Sequence, residues 1–422
     1  MTVMTSQPVI ISGGGLIGLC LAQALKHARI PHKIYERDTG LFSRYGGWAI
    51  SLQWAWPAMT KVLPPELVEK IEALMVDPSV WAKDLIPYQY IDLETGTSAH
   101  HIMAPPHLRV SRLKLREYLT EGLDINWGVA VAGWTPTTAG VSVALSNGTE
   151  VEGWFLACAE GKNSKLKHGL FGDVESQLHD FPLNFIGMRV VLSEEQIMPL
   201  RNIGPLIWEG RHHKTRQYLF FSTISTPEVN GSIHTEKPYY EAQLNLSSLA
   251  DASSNSNKAN IRADELVRTF KEAATEGTGF FKELKDILLS LPDDTGALDI
   301  KVQDWISKPW PSHGGRIVLL GDAAHAMTMF RGEAVNHGIL DALRLVLQLC
   351  SVKRGDKSFE MAIEEYKSEV VERGEKAVML SRQACLDAHK PQGPPEDSPL
   401  FWRSDWIEEG FVETLSNSIV SI

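Results

Sequence analysis

What this sequence lacks sets its first limits. It has only four cysteines in 422 residues, no excess of basic side chains and no long apolar run. Cys20, Cys158, Cys350 and Cys385 form no CxxC pair, which argues against a thiolate metal site or a disulfide scaffold. Cys20 and Cys350 sit in apolar, helix-like runs and read as buried free thiols. With 41 basic and 52 acidic side chains the net charge is −11, a poor match for nucleic acid or an anionic membrane surface. A membrane span needs roughly 18 uninterrupted apolar residues, and no segment reaches that. The apolar stretch 9–25 has neither a basic lead nor a cleavage site, so no signal peptide is visible. Residues 416–422 are too short and polar to argue for membrane attachment. These absences predict a cytoplasmic chain, monomeric or homodimeric, without metal.

What is present suits a globular protein: 43% hydrophobic and 22% charged residues, in a length that fits two interleaved domains. The N-terminus reads as strand (9–11), tight turn (13–15), helix (16–26) and strand (33–35). Residues 47–63 are apolar and tryptophan-rich. A helix is predicted over 113–119, and strands over 129–134, 141–145 and 150–158. Segments 185–192, 217–224 and 240–246 read as a second sheet, and 252–260 as a polar surface loop. Helices follow at 263–274 and 280–289, then a strand at 316–320 and helices at 335–349 and 359–389.

Gly13-x-Gly15-x-x-Gly18 follows a strand and opens a helix. The first glycine makes the turn, the second lets backbone approach a pyrophosphate, and the third lets helix and strand pack closely. The phosphates would sit on free N–H groups at the helix start, near Leu16 and Ile17. Glu36, with Arg37 after it, ends the second strand 23 residues past Gly13, where a carboxylate would bind an adenosine ribose. Glu36 also argues against a 2′-phosphate in this pocket.

A second motif, Gly321-Asp322-Ala323-Ala324-His325, follows an apolar strand about 300 residues later. It resembles the GD motif of class A, single-component FAD-dependent monooxygenases, and its wording resembles fungal enzymes of specialised metabolism. The resemblance implies FAD, with NAD(P)H as co-substrate and no second nucleotide domain. It implies that Asp322 bonds the ribityl chain, that Arg112 approaches the phosphates, and that Arg44, Gly46 and Gly47 lie on a loop beside the flavin. Residues 302–310 and 336–345 are similar to the segments flanking the GD strand. The implied reaction passes through a flavin hydroperoxide and hydroxylates or epoxidises a hydrophobic aromatic or polycyclic metabolite.

The sequence departs from the family at two places. The middle motif, Gly-Ala-Asp-Gly with a later Ser and Arg, reads Cys158-Ala159-Glu160-Gly161, Ser164 and Lys167. Glu160 is expected to touch the cofactor, and lysine lacks the planar arginine fork. The loop after the GD motif, Pro-x-x-Gly-x-Gly-x-Asn in the family, reads Met329 to Asn336, with Ala334 in place of glycine. Ala334, Val335 and Asn336 are expected beside the flavin. Alanine there either adds a methyl against the ring or forbids the backbone conformation. Two readings stay open: an ordinary monooxygenase, or a non-redox cyclisation with FAD structural or lost.

Trp54-Ala55-Trp56-Pro57 reads as packing near the FAD, and His325 as a structural contact. Arg211-His212-His213 and His100-His101 read as solvated turns, since adjacent strand residues point apart. For the oxygen-transfer step Arg189, alone in an apolar strand, is a candidate donor. The competing reading has it facing solvent on an edge strand. Arg44 and Tyr218 are further catalytic candidates.

The expected fold class is α/β. A Rossmann-type FAD-binding domain (1–80, 102–175, 296–355) is interleaved with a β-sheet substrate domain (81–101, 176–295). A C-terminal helical segment (356–422) follows.

Overall fold

A computed structural model describes residues 7–43, 47–80, 88–103, 107–250 and 261–420. The expected loop at 252–260 and Arg44 lie outside these residues.

The first half of the architecture is a five-stranded, wholly parallel sheet. Its order is Ile317–Leu319, Leu156–Cys158, Val9–Ser12, His32–Glu36, Ile125–Trp127. Three neighbouring strands, Ile317–Leu319, Leu156–Cys158 and Val9–Ser12, are apolar at almost every position because helices cover both faces. Helix Leu16–His27 packs against helix Ala334–Arg354, so the two ends of the chain share one core. The expected strand 150–158 is in fact two. Glu150–Gly153 closes a small antiparallel meander, and Leu156–Cys158 enters the main sheet. The chain crosses between them at Gly153, where a Cβ would sit 2.4 Å from Ile10 Cγ1.

The second half is a seven-stranded mixed sheet. Its order is Ala297–Asp299, Leu183–Leu192, Tyr240–Leu249, Tyr218–Ser225, Ile207–Arg211, Tyr88–Asp92, Ser98–Ile102. The three long central strands match the expected segments. The pair Tyr88–Asp92 and Ser98–Ile102 has no counterpart in the sequence reading. One face is apolar and carries the amphipathic helices Ala263–Thr275 and Lys282–Ser290. The other face, with Phe185, Tyr218, Phe220, Gln243 and Asn245, looks toward the parallel-sheet half. A two-stranded ribbon, Ala49–Leu52 with Leu108–Ser111, lies between the halves.

Two expected turns prove otherwise. Arg211 and His212 are buried on or beside a strand. Arg211 donates to the carbonyls of Lys390 and Pro391, and His212 Nε2 lies 3.1 Å from the Gly279 carbonyl. Only His213 of the three is exposed. His100 and His101 lie on the strand Ser98–Ile102, with His100 stacked on Phe401 at 4.5 Å. The long helix Phe359–Ala388 closes the molecule, and the helix Phe411–Val420 returns to pack on Trp56–Val62. Among the described residues no helix is long and apolar enough to cross a membrane.

Candidate functional site

One continuous cavity of about 840 Å³ runs from the Gly13 turn to the inner face of the seven-stranded sheet. Gly13, Gly15, Leu16, Ile17, Glu36, Arg37, Arg112, Asp322, Ala334, Val335 and Tyr218 all border it.

The nucleotide end is built by glycine. Gly13 has φ +109°, and a Cβ there would meet the Ala159 carbonyl oxygen at 2.5 Å. A Cβ on Gly18 would meet the Gly13 carbonyl oxygen at 2.0 Å, so this glycine serves helix–strand packing and does not face the cavity. A Cβ on Gly15 would meet nothing within 4 Å, so the space over it is open to a ligand. The following helix has no side-chain cap and no acid in its first turn. Its free N–H groups therefore remain available to an anion. Glu36 is buried, accepts from the Gly14 and Asp38 N–H groups at 2.6 and 2.9 Å, and borders the cavity.

Arg116, which the sequence reading missed, locks this corner. Its Nε donates to the Gly14 carbonyl (2.9 Å) and its Nη2 lies 3.4 Å from Asp38.

Asp322 opens a short helical turn after Gly321 (φ +58°). Its carboxylate has no hydrogen-bond partner among the described residues and borders the cavity. Burial pushes its carboxyl above the usual range, while His325, Lys162, Arg112 and Lys167 pull it back down. Gly321 itself lies behind the wall, where a Cβ would press on Ile17 at 3.0 Å. Beneath the motif, Asp341 accepts from the Gly321 N–H (2.6 Å), His325 Nε2 (2.8 Å) and Arg373 Nη2 (2.6 Å). His325 is thus a buried structural contact, as expected.

Besides Gly18 and Gly321, four expected site residues have other positions or duties. Asn336 does not border the cavity; its amide bonds the backbone of Ser51 and Gln53. Gly47 packs on the start of the helix Arg112–Leu119, where a Cβ would lie 3.1 Å from Leu113 N. Glu160 borders the cavity, but Ser12, Ser164 and the Leu166 N–H occupy both its oxygens. That carboxylate ties the first strand to the middle motif. Arg189 is on a central strand and shares Phe185's face. It lies beyond the cavity's end, partly exposed and paired with Glu241 at 2.6 Å. It is no part of the site, and its solvent-facing reading holds without the edge strand.

Ala334 begins the helix Ala334–Arg354 and has no positive φ. The left-handed position of this loop is Gly332, at φ +65°, and it has kept its glycine. Backbone strain at Ala334, one ground of the cyclisation reading, is absent; the added methyl and Met329, its other grounds, both border the cavity.

The sheet end of the cavity is lined by Phe185, Ile207, Tyr218, Phe220, Phe330 and polar groups that sequence reasoning missed. Tyr218 donates to Glu209 at 2.6 Å, and burial raises the pKa of both. Arg109, Tyr88, Gln243, Asn245 and Arg403 complete this chamber. The available signal was a lone charge inside an apolar strand, as in Leu108-Arg109-Val110 and Trp208-Glu209-Gly210.

An open glycine cradle, an uncapped helix start, a buried acid at its ribose position and an unpartnered Asp322 in one trough fit FAD. The comparisons agree. A family model described as FAD binding domain matches residues 300–381. The FAD-dependent monooxygenase dbaB of Emericella nidulans is 40% identical over 342 residues, 80% of this chain and 85% of that protein. The FAD-dependent monooxygenase phnB of Penicillium herquei is 29% identical, over 94% of each chain. Among solved structures, Klebsiella pneumoniae HpxO complexed with FAD and uric acid superposes with TM-score 0.68. It is 18% identical and covers 99% of this chain and 98% of its own, a likeness of fold. The cradle and the extent of shared sequence lead to one conclusion: this chain belongs to the FAD-dependent monooxygenases.

Proposed function

We propose that this enzyme is driven by NAD(P)H and hydroxylates or epoxidises a hydrophobic aromatic or polycyclic metabolite of specialised metabolism. The observation that carries this reading is the single cavity joining the glycine cradle to a chamber walled by Phe185, Phe220, Tyr218 and Phe330. Bound FAD supplies the electron transfer and oxygen activation. The chain supplies position and dryness. Gly13, Gly15 and the N–H groups near Leu16 and Ile17 would hold the pyrophosphate, with Arg112 nearby. Glu36 and Arg37 would hold the adenosine. Asp322 would accept from the ribityl hydroxyls, and the start of helix Ala334–Arg354, at Ala334 and Val335, would face the ring. Tyr218, oriented by Glu209, is the catalytic side chain this reading favours in the chamber.

The test is an absorbance spectrum of the purified protein before and after anaerobic NADPH or NADH, with and without aromatic candidate substrates. Flavin bands that bleach and return with air support the reading. Bands that never bleach with either nucleotide, whatever the substrate, would overturn the nicotinamide-driven part.

A further inference from the structure

The chamber holds a buried cation that forms no ion pair with a carboxylate among the described residues. Arg109 is 5% exposed and borders the cavity. Its Nε and Nη2 donate to Ser222 Oγ (3.1 and 2.9 Å), and its Nη1 donates to Ser51 Oγ (3.1 Å). These partners are neutral hydroxyls. A guanidinium carries five N–H donors, so two of them have no acceptor among the described residues.

Other buried arginines are treated differently. Arg373 faces Asp341 and Glu369, Arg331 faces Glu333, and Arg116 faces Asp38. Arg211, which also lacks a carboxylate, is engaged by two backbone carbonyls and lies off the cavity. Burying a charge without a counter-charge is costly. The cost is visible in the Arg109 guanidinium, whose pKa burial lowers to about 10. A ligand anion would offset it.

The surroundings describe that ligand. The Arg109 guanidinium carbon lies 5.9 Å from the centre of the Phe220 ring. The buried Tyr88 hydroxyl, close enough for Arg109's charge to act on it, has no well-formed hydrogen bond among the described residues. Gln53 Oε1, Gln243 Oε1 and Asn245 Oδ1 are buried acceptors without partners, on residues that border the same cavity. Glu209 also borders the chamber, opposite Phe220 and two residues along the sheet from Ser222, on the order of 7 Å. It accepts from Tyr218, and among the described residues no ion pair joins it to Arg109.

We propose that Arg109, assisted by the Tyr88 hydroxyl, is the anion anchor of the substrate chamber, binding the ionised oxygen of an acidic aromatic substrate. A phenolate and a carboxylate present the same oxyanion. The inference rests on the aromatic-substrate reading above and narrows it: a neutral hydrocarbon ring would leave this cation uncompensated.

The experiment is calorimetric titration of the FAD-loaded protein with benzoate and with its uncharged isostere benzamide. The wild type is expected to bind benzoate roughly ten- to a hundred-fold more tightly, the scale of hydrogen bonds to charged groups. Arg109→Gln should erase that preference, Arg109→Lys should retain part of it, and Ser222→Ala should keep it because the charge remains. Equal binding of the two probes by the wild type would overturn the proposal. So would a benzoate preference that survives Arg109→Gln, or an Arg109→Gln loss equal for both probes. 4-Cyanophenol titrated across its own ionisation separates the two sources. Binding that tightens as it ionises, only in proteins with Arg109, assigns a phenolate; preference for benzoate alone assigns a carboxylate. Because the readout is binding and not turnover, a protein that prefers benzoate yet never oxidises NAD(P)H would refute the nicotinamide reading and leave this one standing.

Discussion

Asn336 accepts a hydrogen bond from the Gln53 N–H at 2.8 Å, although 283 residues separate them. Its own amide donates to the Ser51 carbonyl at 3.0 Å, so one side chain clamps the ribbon strand to the start of helix Ala334–Arg354. Gln53, Ser51 and Ala334 all border the cavity. The clamp therefore sets the width of the trough between its two walls without touching a ligand. Asn336→Ala would leave a buried N–H and a buried C=O unpaired, at about 2 to 4 kcal/mol in total. Urea unfolding of the FAD-loaded protein should show that loss, and FAD should dissociate faster. A variant as stable as the wild type would mean that the clamp does not hold the wall.

Asp341 plays the corresponding part under the GD motif. It is fully buried and receives Gly321, His325 and Arg373, the last also held by Glu369. His325 and Arg373 hold its carboxyl below the usual range against the effect of burial. Asp341→Asn would leave the Arg373 charge undercompensated and cost about 3 to 5 kcal/mol, measured as a fall in thermal stability. Adding Arg373→Met should recover part of the loss. A double variant worse than the sum of the singles would contradict this coupling.

The cofactor half of the site was legible because its signals are local. Gly13, Gly15 and Gly18 are needed within six residues of one turn, and Asp322 follows its strand directly. Asn336 was misread for a physical reason. Sequence placed it beside the flavin loop, but on a helix one residue's rotation separates Val335, facing the cavity, from Asn336, facing the ribbon. The substrate half was opaque. Its chamber draws Tyr88, Arg109, Glu209, Tyr218, Gln243 and Asn245 from five strands spread over more than 150 residues. Arg189 and Arg109 carry the same signal, a single arginine in an apolar strand. Only the strands' placement puts one beyond the cavity and the other inside it.

That contrast yields a prediction for Arg189. Its partner is Glu241 on the neighbouring strand, and the arginine side chain is 40% exposed. Exposed pairs of this kind contribute about 0 to 1 kcal/mol. On the nicotinamide-driven reading proposed above, Arg189→Ala should keep FAD affinity and NAD(P)H oxidation within about twofold of the wild type. A tenfold fall in oxidation rate without a loss of stability would return Arg189 to the reaction.

Lys167 gives the pH prediction. Its ammonium donates to the Lys162 carbonyl at 2.9 Å and lies 4.7 Å from the centre of the Trp305 ring. No carboxylate lies within 4 Å of it among the described residues. Burial lowers its pKa to about 8, against the upward pull of Cys158 and Asp322. The unfolded chain, with the ordinary lysine value, therefore binds this proton more tightly than the folded one. Below about pH 8 the folded state bears the full cost of the buried charge, and that cost disappears as pH rises toward the unfolded value. Lys167→Met carries no such cost at any pH. The stability of the wild type relative to this variant should thus rise between pH 7 and 10, by on the order of 1 to 3 kcal/mol. Denaturant midpoints of both proteins at several pH values measure it, and other titrating groups cancel in the difference. A flat difference would show that the Lys167 ammonium is better solvated than its burial implies. A falling one would show that the folded state favours the charge, as a carboxylate partner would.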